Sequence, residues 1–563
     1  MGQRHRLAQG ASQLFAFLGI LSVCQPKSKL KAGESMNGMS IEICGGIAIL
    51  LLGAVGLVAA QAPPSEASIA PATMSRAGSV NERFQSYNIE MVEVTGGRFW
   101  KPYGQTAEPK ASESGHATLG GIDPSRFGYR PPVDLSNARL RRLAAALGPA
   151  YLRVSGTWAN STYFQDSDAP APATPPKGFG SVLTRQEWKG VIDFARAVNA
   201  EIVSSFSTSE GTRNAEGVWT PKQARALLNY TKSIGGSVAA AEFMNEPTFA
   251  EIGGAPKGYD AAAYARDFAV FHKFIKSAAP HMILLGPGGV GEGTMLAPPS
   301  MHTIASADIL SAVGPVFDAI SYHSYGAVSA RCAPPGSPMG TTTDAALSAE
   351  WLSRGVHAEE YYAALRDRFE PGKPIWNTET GQAACGGDRW AATFLDTFRY
   401  LNQLGSLARR GVQVHIHNTL NASDYGLLDE NTYEPRPNYW AALLWRRLMG
   451  STVLDPGASP SPNLHLYAHC LRGTPGGVSL LAINADRNAA HTVAIPAKAV
   501  RYTLTARNLL DKTVELNGNE LALGAGDTLP DLKGLSMPAG SVTFAPASIT
   551  FLAFPEARNA SCR

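Results

Sequence analysis

Between about Met91 and Gly450, short apolar runs alternate with stretches whose apolar residues recur at helical spacing. "NIEMVEV" predicts a strand. "LSNARLRRLAAALG" follows, with Leu135, Leu140, Leu143 and Leu147 on roughly one helical face and Gly148 as the stop. The strands "AYLRV", "EIVSSF", "SVAAAEFMN", "MILLG", "FDAISYHSY", "PIWNTE" and "VQVHIHN" come next. Helical segments such as "EWKGVIDFARAV", "KQARALLNYTKSIG" and "AATFLDTFRYLNQL" separate most of them. Buried strands in repeated βα units imply a parallel sheet. Eight of them over this length predict an α/β fold, a (β/α)8 TIM barrel at residues 91–450. A doubly wound open sheet is the alternative, but no GxGxxG follows the first strand, and "GPGGVG" reads as a loop glycine cluster. After Gly450 the runs shorten and partly alternate: "LHLYAHCL", "VSLLAIN", "HTVAIP", "RYTLTA", "ITFLAF". Separated by Gly, Pro and Asn, they predict a C-terminal β-sandwich over 451–563.

The N-terminus has a different character. "IAILLLGAVGLVAA", Ile47 to Ala60, precedes "QAPPSEAS" and has the form of a secretory h-region with a small-residue cleavage site. It is shorter than the roughly 20 residues of a membrane span. Residues 1–62 are therefore read as a leader holding a signal peptide. A signal anchor is the alternative, since Lys27, Lys29 and Lys31 precede the run. Residues 63–90 read as a linker. The expected location is secreted, extracellular or periplasmic.

The 563 residues are 44% hydrophobic and 17% charged, ordinary globular composition. A net charge of +3 without a sustained basic stripe argues against nucleic acid as a partner. Cys24 and Cys44 fall in the leader, which leaves Cys332, Cys385, Cys470 and Cys562. An even number in an exported chain predicts disulfides, and the spacing alone allows three pairings. No CxxC or His-rich spacing suggests a metal site.

Catalytic groups of such barrels lie at the C-terminal ends of strands. Strand four ends in Asn245-Glu246, strand six in His323-Ser324-Tyr325, strand seven in Asn377-Thr378-Glu379-Thr380-Gly381, and strand eight in His415, His417 and Asn418. Two carboxylates, Glu246 and Glu379, then face one cleft, the arrangement glycoside hydrolysis needs. The acid of such a pair requires a raised pKa, which partial burial and proximity to the second carboxylate supply. His323 taken alone reads as a satisfied buried histidine, and Trp100 and Trp158 as core, although either indole could stack on a sugar.

The segments "YLRVSGTWANSTYF", "AEFMNEPTF", "ISYHSYG", "PIWNTETGQAACGG" and "DYGLLDENTYEPRPNYWAALLWRRLMGSTVL" resemble the heparanases and related β-glucuronidases of glycoside hydrolase family 79. The resemblance runs from about Asn88 to the C-terminus. It implies a retaining clan A enzyme with Glu246 as acid/base and Glu379 as nucleophile. Asn245, His323 and Tyr325 would surround the reacting sugar. Tyr425 and the backbone amides of Gly386 and Gly387 would hold a uronic-acid carboxylate. The family's sandwich takes a strand from before the barrel, so residues 63–90 are expected to contribute one. Cys385 stands where the family often has an aromatic residue. Asn160, a further substrate-binding candidate, stands where human-type heparanase has an acid. It also opens an Asn-Ser-Thr glycosylation sequon. Cys332 and Cys385 fall in the loops after strands six and seven and are expected to pair. Cys470 with Cys562 would then tie the tail to the sandwich, as in the family. The Pro/Ala-rich loop between Asp166 and Gly180 falls where that heparanase carries an excised linker, but is short, so a single uncleaved chain is expected.

The expected function is a monomeric, secreted β-glucuronidase of heparanase type, endo-acting on glucuronic-acid-containing glycans and needing no metal or organic cofactor. Exo action on small glucuronides and a non-catalytic glycan-binding protein are the alternatives. Arg98 and Lys101 are candidates for sulfate recognition.

Overall fold

Eight parallel strands close into a barrel: β1 (Gln85–Glu90), β2 (Ala150–Ser155), β3 (Ala200–Ser205), β4 (Val238–Glu242), β5 (Ile283–Gly289), β6 (Ala319–Tyr325), β7 (Ile375–Gly381) and β8 (Val414–His417). The computed structural model describes residues 68–104, 122–293, 302–333 and 336–563. The leader, with Cys24 and Cys44, lies outside them. Among the described residues no helix is long and apolar enough to cross a membrane.

Side chains alternate across each strand. Leu152 and Val154 pack outward against the helices. Tyr151, Val203, Ala240, Leu285, Ala319, Trp376, Val414 and Ile416 fill the barrel's interior, one or two from each strand but β1. The same alternation sends Arg153 inward from β2 and Glu242 inward from β4.

Two differences from the sequence reading concern β1 and β8. The segment "NIEMVEV" is not one strand: β1 starts at Gln85, so residues 85–90 belong to the barrel, and Met91–Thr95 is a short helix. Glu90 and Glu93 close that helix's first turn as a reciprocal cap. In β8, Val414 and Ile416 point inward, so His415 and His417 face the helices rather than the cleft. The His417 ring meets Tyr400 edge-on at 5.2 Å. Burial pushes both imidazoles down to about 3, so they stay neutral.

The C-terminal region is a nine-stranded sheet faced by a two-stranded one. The strand Arg76–Ser79, from before the barrel, pairs antiparallel with Met449–Leu454. Val478–Asn484 and Ser548–Phe554 are buried along their whole length. One face, with Leu480, Leu552 and Phe554, meets Val493 and Phe544 of the small sheet. The other, with Leu481, Ile483 and Phe551, joins the barrel's main core. That double burial explains why "VSLLAIN" and "ITFLAF" hardly alternate. Asn559 donates to the carbonyls of Pro71 and Met74 at 2.7 and 2.9 Å, and Cys470–Cys562 fastens the tail beside it.

Candidate active site

Arg153 is fully buried at the centre of the barrel mouth. Its guanidinium donates to Glu379 Oε2, Glu242 Oε2 and Asn245 Oδ1, each at 2.8 Å. Glu242 accepts from Thr378 Oγ1 at 2.7 Å on its other oxygen. Burial opposes the charge of Glu242, but Arg153 beside it outweighs burial and holds its carboxyl well below the usual range. The reverse holds for Arg153: burial works against the cation, and Glu242 and Glu379 more than restore it. Neither Arg153 nor Glu242 was among the residues singled out from the sequence. The signal was present as an arginine flanked by outward-facing apolar residues in "YLRVS".

Glu379 reaches this cluster through an irregularity. β7 pairs with both neighbours, and both ladders shift register near Thr378. An extra residue re-aims the side chains beyond it. Trp376 and Thr378 face inward, and strict alternation would send Glu379 outward. The bulge turns it into the mouth, where Tyr325 donates its hydroxyl to Oε1 at 2.7 Å. Asn418 donates to the hydroxyls of Tyr325 and Tyr425 at 3.0 and 3.2 Å, which links the Tyr425 ring to the same network.

Glu246 lies beyond the end of β4, in the left-handed region at φ 47°, immediately before Pro247. A non-glycine residue adopts that conformation at a cost. Its side chain is 17% exposed, while Arg153, Glu242 and His323 are at 0% and Glu379 at 7%. Glu246 is thus the most open member of the group. Burial, reinforced by the negative charge of Glu379, raises its pKa, and the His323 contact works in the other direction. His323 Nδ1 is 3.0 Å from Glu246 Oε1, and its Nε2 is 3.1 Å from the Arg153 guanidinium. Burial opposes a charged imidazole, but Glu379 and the bonds to Glu242 and Glu246 push His323 up to about 9. In either protonation state Nδ1 carries a proton facing Glu246: the charged ring has one on each nitrogen, and in the neutral ring Arg153, which can only donate, favours a bare Nε2. One proton is therefore poised between His323 and Glu246.

The structure relocates two of the candidates. Asn160 does not face the cleft. It is 1% exposed. Its amide oxygen takes the Asn245 N–H and its amide nitrogen donates to the Asn245 carbonyl, both at 2.8 Å. It therefore fixes the backbone next to Glu246, and its burial keeps it from a sugar. Gly387 is the other. Its N–H donates to Ala383 O at 3.1 Å inside the loop, so of the two amides expected to hold a carboxylate, that one is committed to the turn. Gly386 and Gly387 have φ of 83° and 79°, and Tyr425 packs directly on Gly387. Cys332 is bonded to Cys385 beside them.

Two further residues, Glu90 and Gly156, went unread in the sequence. Glu90 lies at the end of β1, and burial together with Glu379 raises its pKa well above the usual range. Its Oε2 is buried without a hydrogen-bond partner among the described residues. Gly156, at φ 86°, makes room for it: a Cβ there would lie 1.4 Å from that oxygen. Trp100 and Trp158 form an aromatic cluster with Phe99 and Phe127, Trp100 stacking on Phe127 at 4.6 Å. Of the two sulfate candidates, Lys101 offers its carbonyl to Arg331, and Arg98 lies in the hairpin strand Gly97–Trp100.

Glu246, His323 and Glu379 each bring one atom within 4.8 Å of the others, a spacing a cation could use. Arg153 already occupies Glu379 Oε2, and its fixed positive charge beside the trio opposes a second cation.

A closed parallel barrel with two carboxylates, a histidine and a tyrosine at the C-terminal mouth defines a glycosidase of the (β/α)8 class. Residues 132–405 match "Glycosyl hydrolase family 79, N-terminal domain", and the relatives similar to the chain over most of its length are heparanases and a β-glucuronidase. Heparanase-like protein 1 of Arabidopsis thaliana is 26% identical over 78% of this chain and 88% of its own. Heparanase of Mus musculus is 27% identical over 76% and 88%. Baicalin-beta-D-glucuronidase of Scutellaria baicalensis is 26% identical over 75% and 84%. Among solved structures, a 4-O-alpha-L-rhamnosyl-beta-D-glucuronidase from Fusarium oxysporum superimposes with a TM-score of 0.57 at 12% identity, covering 86% of this chain and 99% of that one. At that identity the likeness speaks for the fold.

Proposed function

We propose that the protein is a secreted, retaining β-glucuronidase of heparanase type that cleaves internal β-glucuronidic bonds of glycosaminoglycan-like polysaccharides. The observation that carries the mechanism is the closeness of Glu246 and Glu379, whose nearest oxygens lie within 4.8 Å. Retaining pairs stand about 5–5.5 Å apart, whereas inverting pairs leave roughly 6.5–9.5 Å for a water.

The roles follow from the environments. Glu379, held by Arg153 on one oxygen and by Tyr325 on the other, is the group that attacks the anomeric carbon. Glu246, more open and with a raised pKa, gives its proton to the departing glycosidic oxygen. In the second step Glu246 takes a proton from water, the water oxygen bonds to the anomeric carbon, and the bond to Glu379 breaks. The sugar leaves in its original β configuration. Asn245, held by Arg153 and Asn160, is assigned to a sugar hydroxyl. Tyr425 and the Gly386 N–H are assigned to the uronic-acid carboxylate. The heparanase relatives favour a polysaccharide substrate, and the two disulfides support an oxidising, exported location.

The test is hydrolysis of p-nitrophenyl β-D-glucuronide by wild type and Glu379→Gln, with the first product's anomer read by NMR. A loss above about a thousandfold in the variant and a β first product are expected. An α first product would overturn the retaining assignment, and an undiminished variant would overturn the nucleophile. Digestion of a defined glucuronic-acid oligosaccharide then separates internal cleavage from release of single sugars.

A further inference from the structure

We propose that Arg331 is a positioning residue for the carboxylate end of the sugar site, fixing the direction of the Gly386 N–H through the carbonyl of Cys385. This rests on the β-glucuronidase reading above. Arg331 belongs to the loop after β6, and its side chain is 5% exposed. Its Nε donates to Lys101 O at 2.8 Å, and one terminal nitrogen donates to Cys385 O at 2.9 Å and to Gly387 O. The other terminal nitrogen binds the Asp424 carboxylate, which also takes the Tyr103 N–H at 3.2 Å. One guanidinium thus joins the loops that follow β1, β6, β7 and β8. Four of its five N–H groups are committed, and the group lies 3.9 Å over the Tyr103 ring. It is therefore part of the scaffold, not a cation offered to the substrate.

The effect on the turn comes from peptide planarity. In a trans peptide the carbonyl of one residue and the N–H of the next lie in one plane and point in opposite directions. Arg331 and the Ser329 hydroxyl, the latter at 3.0 Å, hold the Cys385 carbonyl on their side. The Gly386 N–H must then point away from them. The neighbouring amides are occupied inside the loop: Gly387 N–H donates to Ala383 O at 3.1 Å, and Asp388 N–H to Gln382 Oε1 at 2.7 Å. The Gly386 N–H takes no such acceptor among the described residues, and its direction is what Arg331 sets.

Lysine preserves the charge at this position but not the planar fork that spans three carbonyls and a carboxylate. The Cys332–Cys385 bond keeps the two loops joined when Arg331 is changed, so a variant would lose the direction of the amide rather than the loop. The experiment compares wild type, Arg331→Lys and Arg331→Gln. It measures kcat and KM for p-nitrophenyl β-D-glucuronide and the competitive Ki of p-nitrophenyl β-D-glucoside, the neutral counterpart. Both variants should raise the glucuronide KM by at least about tenfold, with kcat within about threefold and the glucoside Ki unchanged. A wild-type KM in Arg331→Lys would show that charge suffices and would overturn the proposal. A parallel weakening of both ligands would reduce Arg331 to a general structural role and overturn it too. Absence of glucuronide hydrolysis by wild type would instead refute the underlying reading, whereas an active wild type with unchanged variants refutes this inference alone.

Discussion

Replacing Arg153 with methionine removes the one fixed cation inside a group of buried acids. Methionine fills much of the same volume, so the change is chiefly electrostatic. Glu242 keeps the Thr378 hydroxyl at 2.7 Å, and Glu379 keeps Tyr325 at 2.7 Å. Both lose a charge-assisted bond of 2.8 Å in a region from which water is excluded. Removing one partner of a buried ion pair costs about 3–5 kcal/mol. The pH dependence identifies the cause. In the wild type Glu242 is held well below its ordinary pKa. Its contribution to stability is therefore complete above the unfolded value of about 4.3 and is lost only under strong acid. In the variant, burial without the arginine drives the Glu242 pKa upward. The folded variant then takes up a proton that the unfolded chain releases, and the penalty grows as pH rises from about 4.5 to 7.5. Denaturant unfolding across that range should show the gap between wild type and Arg153→Met widening with pH. Adding Glu242→Gln to the variant should recover part of the loss at the upper end and little at the lower. A gap below about 1 kcal/mol near pH 7 would refute the reasoning, as would a gap independent of pH.

Asn160→Asp keeps an acceptor for the Asn245 N–H but sets an oxygen against the Asn245 carbonyl. It should lower kcat by about tenfold to a hundredfold in the glucuronide assay by displacing the segment that carries Glu246. Peptide mass mapping should also find Asn160 unglycosylated, since its amide is enclosed at 1% exposure. Gly156→Ala would put a methyl 1.4 Å from Glu90 Oε2 at a φ of 86°. The expected result is a loss of more than about 3 kcal/mol in denaturant unfolding, or no folded protein at all. Cys470→Ser with Cys562→Ser opens a loop of 92 residues and should cost about 4–5 kcal/mol in the same assay, with earlier proteolysis of the C-terminal tail.

What could be read from the sequence, and what could not, divides along the distance over which a residue's meaning is set. The barrel strands were visible because parallel strands buried on both faces appear as apolar runs, and "AYLRV" or "EIVSSF" needs no partner to be recognised. Glu246 and Glu379 were visible because strand ends are where this architecture places its chemistry. "NIEMVEV" misled because its apolar spacing suits a strand as well as a helical turn, and only the reciprocal cap between Glu90 and Glu93 decides for the helix. Arg153 and Glu242 were within reach of the alternation rule, since Leu152, Val154 and Ala241 face the helices and leave the intervening side chains inward. Each nonetheless looks like a lone charge in a buried strand, which is implausible until its partner from another strand is supplied. Glu379 shows the opposite case. Alternation from Trp376 predicts the wrong face, and the bulge that corrects it is a property of three strands in register. Glu246 and Glu379, the carboxylates proposed to do the chemistry, are local features of the sequence. The surroundings that raise the proton affinity of Glu246 are assembled from its burial and from groups on three other strands, His323 on β6, Glu379 on β7 and Arg153 on β2.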